Sequence, residues 1–228
     1  IAAFHRQTYG PRGLTLVIVG GIPAAAAVEL AERHLGDWDN PQQPPEPELP
    51  ALVAPENVRE KRTSLPGKSQ SDLIWGTIGP RRADPDYLSA LLGNHILGRF
   101  GMFGRIGDAV REAAGLAYYS YSSLGGGLGP GPWSVIAGVN PANVDRAVDL
   151  IRGEIRKFVS RRVTPTELAD NQANFIGRLP MQMETNEGVA GSLLNIELHN
   201  LGLDYYRRFP DLIHAVTREQ ILAAARRF

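Results

Sequence analysis

Six prolines fall between Asp39 and Asn57, at Pro41, Pro44, Pro45, Pro47, Pro50 and Pro55, and no regular element can run through them. Proline fixes φ, removes a backbone donor and pushes the preceding residue toward extended geometry, so neither a helix nor a sheet ladder continues across such a run. Residues 39–57 therefore read as a semi-rigid linker of polyproline character. It divides the 228 residues into a short piece, 1–38, and a longer one, 58–228. With 43% apolar and 21% charged residues the chain is ordinary globular material, long enough for one large domain or two small ones.

Ahead of the linker, Leu14-Thr15-Leu16-Val17-Ile18-Val19 is a β-rich run ended by Gly20-Gly21. Pro23 then suits the first turn of a helix over 24–35, with Gly36 as its stop. One strand and one helix cannot bury each other's faces, so 1–38 is expected to be a fragment of a sheet whose other strands come from elsewhere. Beyond the linker, 57–64 alternates weakly and 71–78 reads as a buried strand. Asp84-Pro85 opens a helix over 86–97, followed by a Gly/Phe-rich loop over 98–104 and a second helix over 105–114 that stops at Gly115. Strands are expected at 116–124 and 133–139, separated by a Gly/Pro loop over 125–132. Asn140-Pro141 opens a long helix to about Val159, and Thr164 with Glu167 forms a capping box that opens another toward Arg178. A helix over 187–201, a short turn at 204–208 and a second capping box, Thr217 to Gln220, complete the reading. The spacing of Val17-Ile18-Val19-Gly20 and Pro23-Ala24 is echoed by Val135-Ile136-Ala137-Gly138 and Pro141-Ala142. The class is α+β or α/β, several strands in one sheet with helices stacked on it.

Function classes are narrowed by what these residues can do. Twenty-four basic side chains balance 24 acidic ones, so no net field draws in nucleic acid or an anionic membrane. No apolar run approaches the roughly 18 residues of a membrane span, and the start, Ile1-Ala2-Ala3-Phe4-His5-Arg6, shows no apolar stretch of the kind a signal peptide carries. Without cysteine there are no disulfides, thiolate metal sites or thiol nucleophiles. His5, His34, His95, His199 and His214 lack the i, i+3 or i+4 partners that place two ligands on one helix face, and are expected to be surface or structural. The glycines at 20–21 and 125–131 lack phosphate-cradle and dinucleotide spacings, and no Gly-x-Ser-x-Gly elbow occurs.

The most informative stretch is 105–123, where Arg111 stands near a helix end, Gly115 breaks the helix and Tyr118 begins a strand. Such a corner can bring a guanidinium and a phenol to one sheet edge, and these donors suit peptide carbonyls or carboxylates. The alternative is that Arg111 caps its own helix or pairs with Asp108, with Tyr118 in the core.

Asp108-Ala109-Val110-Arg111-Glu112, then Gly115-Leu116-Ala117-Tyr118 and Ser120-Tyr121-Ser122, resembles the signature of the C-terminal half of pitrilysin/insulinase-type zinc metallopeptidases. Further pieces follow in the family's order: Tyr9-Gly10-Pro11, Asp84-Pro85-Asp86-Tyr87, Leu97-Gly98, 163–168 and Val216-Thr217-Arg218-Glu219. The resemblance implies an α+β fold, an α/β roll with a mostly antiparallel, helix-covered sheet, preceded by the strand–helix end of the neighbouring half at 1–38. It implies two halves closing around extended peptide, with zinc held by an H-x-x-E-H helix and a distal Glu on the catalytic half. No H-x-x-E-H occurs here, so no cofactor is expected in this chain, and zinc is expected on another half or a partner subunit. Arg111 and Tyr118 are then the substrate-binding pair, with no catalytic residue and no metal ligand in this chain. A structural or assembly subunit of the same family is the competing reading. The family's final strand, after 217–228, is absent from 58–228, so 14–20 is expected to fill the vacant sheet edge, in cis or by a swap within a homodimer.

Overall fold

The computed structural model describes residues 1–228, the side chains of Met102 and Phe103 excepted. The chain forms two compact units, one from 1–51 with 178–205 and the other from 52–177 with 206–228.

In the first unit, α1 (Ala2–Thr8) leads through an extended segment at 14–19 to α2 (Ala24–Leu35), and α7 (Asn186–Leu198) supplies the second wall. The proline-rich stretch contains no helix or strand. Its start folds back on α1: Asn40 Nδ2 donates to the carbonyls of Arg6 at 2.8 Å and Tyr9 at 2.6 Å, and the Gln43 side chain brackets the backbone of Arg12. A groove of about 530 Å³ lies between 14–18 and Leu193, Ile196, Glu197 and Leu203. Leu14, Leu16 and Ile18 are half-exposed while Thr15, Val17 and Val19 turn inward, the alternation of a strand. Among the described residues, however, 15–19 make no backbone hydrogen bond. The segment is extended, and among the described residues it belongs to no ladder.

The second unit is built on a three-stranded antiparallel sheet, β1 (Ser71–Ile78), β2 (Ala117–Gly126) and β3 (Pro130–Val139), in the order β1-β3-β2. Helices α3 (Tyr87–Gly98) and α4 (Phe100–Gly107) lie on β2, α5 (Val144–Ser160) reaches β3, and α9 (Arg218–Arg227) packs on α3 and α5. The core is where apolar faces of those helices meet one sheet face: Leu92, Ile106, Val110, Val135, Ala137, Ile151 and Ile221 are all buried. Two small residues set the spacing. A Cβ on Gly93 would stand 3.0 Å from the Phe158 ring, and one on Gly98 would collide with the amide nitrogen of Ser122. The fold class read from the sequence, α+β with an antiparallel sheet under helices, is the one observed.

Both capping boxes form. At α6 (Pro165–Gln182) the Thr164 amide donates to Glu167 Oε2 at 2.7 Å and the Glu167 amide to Thr164 Oγ1 at 3.1 Å; Thr217 and Gln220 do the same at α9. Several expectations need correction. The loop expected at 98–104 is helical from Phe100, with Gly101 and Gly104 at φ +61° letting the chain double back tightly on α3. The loop at 125–132 is largely absorbed by β2 and β3. The short turn at 204–208 is a ten-residue helix, α8 (Tyr205–His214), that continues through Pro210 because Phe209 and Ile213 are buried. Residues 57–64, whose pattern alternates only weakly, form no helix or strand.

Candidate functional site

The corner between α4 and β2 holds both residues singled out by sequence. After Gly107 the helix widens into a π-helical segment, Asp108–Ala113, a geometry that recurs at functional sites. Ile106 and Val110 are fully buried and anchor this segment, leaving Arg111 in its last turn. A cation is favoured there by the partial negative charge of the helix C-terminus. Gly115 sits at φ +63°, which only glycine adopts without strain, and ends the helix as Gly115 N bonds Arg111 O and Leu116 N bonds Val110 O, both at 3.0 Å. Two residues later the chain is in β2.

The Arg111 side chain is 30% exposed and its Nε lies 3.6 Å from Glu112 Oε1. Tyr118 is 83% exposed, which overturns the alternative that it belongs to the core. Its exposure has a local cause. Ala117 pairs with Val139 but Tyr119 pairs with Gly138, so Tyr118 is the extra residue of a β-bulge. Along β2 the side chains of Ser120 and Ser122 are buried on the helix-covered face, and an unbroken ladder would send Tyr118 to that same face. The bulge turns it out to solvent instead.

Neighbouring residues hold the corner rigid. On the helix side, Asn94 ties α3 to two strands: its carbonyl accepts from Ser122 Oγ at 2.9 Å and its Oδ1 from Trp133 Nε1 at 3.1 Å. Arg105, one turn before the π segment, donates to both oxygens of Glu167 at 2.6 Å each. Burial tends to raise the Glu167 carboxyl, but hydrogen bonds from Arg105 and Thr164 outweigh it and the group stays below the usual glutamate range. On the open sheet face Tyr119 OH donates to Asp72 Oδ1 at 2.7 Å, and Gln70 Nε2 donates to the same oxygen at 2.8 Å. The Tyr119 hydrogen bond, with Gln70 assisting, lowers the Asp72 carboxyl, and the same bond raises the Tyr119 phenol. Tyr121 lies 6.1 Å from the Tyr119 ring, and the Arg99 guanidinium 5.9 Å from the Tyr121 ring. Sequence reasoning missed Tyr119, Asp72 and Gly138, because β1 and β2 are separated in the sheet by β3 and no local spacing joins them.

Among the described residues no three His, Asp or Glu side chains gather as a metal ion would need. His95 has a structural role, its Nδ1 2.6 Å from Asn171 Oδ1 and its ring 4.8 Å from that of Phe175. His5 is stacked on Tyr9. The described donors therefore do not fit a zinc centre. No helix is long and apolar enough to cross a membrane, again among the described residues.

A family described as the peptidase M16 inactive domain matches residues 1–175. The chain belongs to that family. Over 201 residues it is 27% identical to an uncharacterized zinc protease of Streptomyces coelicolor, a match covering 86% of this chain and 42% of that protein. Its fold is that of the peptidase M16 inactive domain from Pseudomonas fluorescens, with a TM-score of 0.76 and 24% identity over 90% of this chain and 48% of that one. A protease from Helicobacter pylori aligns with a TM-score of 0.79 and 17% identity, covering 99% and 55% of the two chains. The chain thus spans about half the length of each of these three proteins.

Proposed function

We propose that this M16 inactive domain is the substrate-gripping, non-catalytic half of a zinc-dependent endopeptidase. Arg111 and Tyr118 hold the main chain of an extended peptide, and the metal and its ligands belong to another half or to a partner subunit. The observation that carries the reading is the exposure of Tyr118, which a bulge turns away from the core beside the π-helical turn of Arg111. A guanidinium and a phenolic hydroxyl can each donate a hydrogen bond to a carbonyl oxygen, and two such anchors fix a carbonyl in register for attack. The unpaired strand at 14–19 fits the same reading, since its free backbone suits pairing with a strand of the catalytic half or of a second copy.

In the complete enzyme, losing a charge-assisted hydrogen bond through Arg111→Ala should lower kcat/KM by about 10- to 100-fold. Tyr118→Phe, which removes one neutral donor, should lower it by about 2- to 10-fold. Thermal stability should hardly move, because neither side chain fills the core. Unchanged kcat/KM in both variants would leave the pair without a substrate role and favour an assembly subunit.

A further inference from the structure

The three strands present a straight row at the level of the bulge: Asp72 on β1 pairs with Gly138 on β3, which pairs with Tyr119 on β2. The missing side chain at Gly138 is what lets the row form. A Cβ there would stand 2.7 Å from Tyr119 Cε1 and 2.6 Å from Gln70 Nε2, so the ring lies directly over the glycine on its way to Asp72. The phenol thus spans the sheet from edge to edge, and its far end is fastened by a carboxylate that Gln70 also holds. Tyr119 follows the bulged residue in sequence. Fixing Tyr119 over Gly138 fixes the point at which β2 returns to register, and so fixes how Tyr118 leaves the sheet.

We propose that Tyr119 is a positioning residue for Tyr118: laid across Gly138 and tied to Asp72, it pins the bulge that directs the neighbouring phenol toward substrate. The inference rests on the substrate role of Tyr118 proposed above. Tyr119 does not itself grip the peptide, since its hydroxyl is committed to Asp72. A misplacement of an anchor by about 1 Å is enough to cost a large part of its contribution.

The test is a double-mutant cycle in the complete enzyme, with kcat/KM on an unstructured peptide and melting temperature as readouts. Tyr118→Ala is expected to lower kcat/KM by about 10-fold and Tyr119→Phe by about 3- to 10-fold. The double variant should be no worse than Tyr118→Ala alone, because Tyr119 has nothing left to position. Asp72→Asn keeps an acceptor oxygen in place and should stay within about 2-fold of the parent, while Asp72→Ala should match Tyr119→Phe. Multiplying losses in the double variant, or a silent Tyr119→Phe beside an impaired Tyr118→Ala, would overturn the positioning role and leave the substrate role standing. A silent Tyr118→Ala would remove both.

Discussion

Glu167→Gln isolates the ionic part of the link between α4 and α6. Glutamine keeps the size of the side chain and one acceptor oxygen for the Thr164 amide, but it cannot receive both Arg105 nitrogens as a carboxylate does. The pair is largely enclosed, with Arg105 20% and Glu167 28% exposed, so solvent screens it only in part. Charge-assisted hydrogen bonds of this kind contribute about 1.5–3 kcal/mol, and the residual exposure argues for the lower half, about 2 kcal/mol. For a chain of this size that corresponds to a fall in melting temperature of about 4–8 °C. The pH dependence follows from the sign of the shift. Glu167 is held below its ordinary value in the fold, so its stabilisation is complete above the ordinary carboxylate range and is lost as pH falls through the lowered value. Thermal unfolding followed by circular dichroism should therefore show a gap between parent and variant at pH 7 that closes in acid. Equal melting temperatures at pH 7, or a gap that persists unchanged at pH 3, would refute the ionic assignment.

Other substitutions probe the corner and the packing beneath it. Gly115→Ala forces a side chain into the left-handed region and should cost about 1–2 kcal/mol, read as a lowered denaturation midpoint. Gly98→Ala drives a methyl group into the backbone of β2 at Ser122 and should prevent soluble expression of a cooperatively folding chain. The purified chain should bind no stoichiometric zinc and cleave no peptide; metal analysis finding one tight zinc per chain would contradict the assignment of the metal to another stretch of protein.

What the sequence conveys depends on how local the determining interactions are. The capping boxes at Thr164 and Thr217 and the helix at 24–35 rest on contacts within a few residues, and they form with little or no shift of boundary. The strand at 71–78 also forms where its β-rich run places it, although its ladder partner is the distant β3. Tertiary burial overrides local signals elsewhere. Residues 204–208 read as a short turn, yet α8 runs on through Pro210 because Phe209 and Ile213 are buried. Gly101 and Gly104 read as loop, yet they serve a tight reversal onto α3. The corner at Gly115 is legible because a glycine between a helical pattern and a β-rich run marks a helix end on local grounds alone. The bulge at Tyr118 is not, since it exists only in the register between β2 and β3. The strut from Tyr119 to Asp72 joins residues 47 apart in sequence and needs the strand order before it can be seen. The segment at 14–19 shows the reverse case: its pattern is that of a strand, yet among the described residues it joins no ladder.

The most direct measurement is a structure of the complete enzyme, silenced at its catalytic base, with an extended peptide bound. The account predicts the Arg111 guanidinium and the Tyr118 hydroxyl within hydrogen-bonding distance of peptide main-chain oxygens, with the metal ligands on the other half or subunit. A peptide that bypasses this corner, leaving both groups facing solvent, would contradict it.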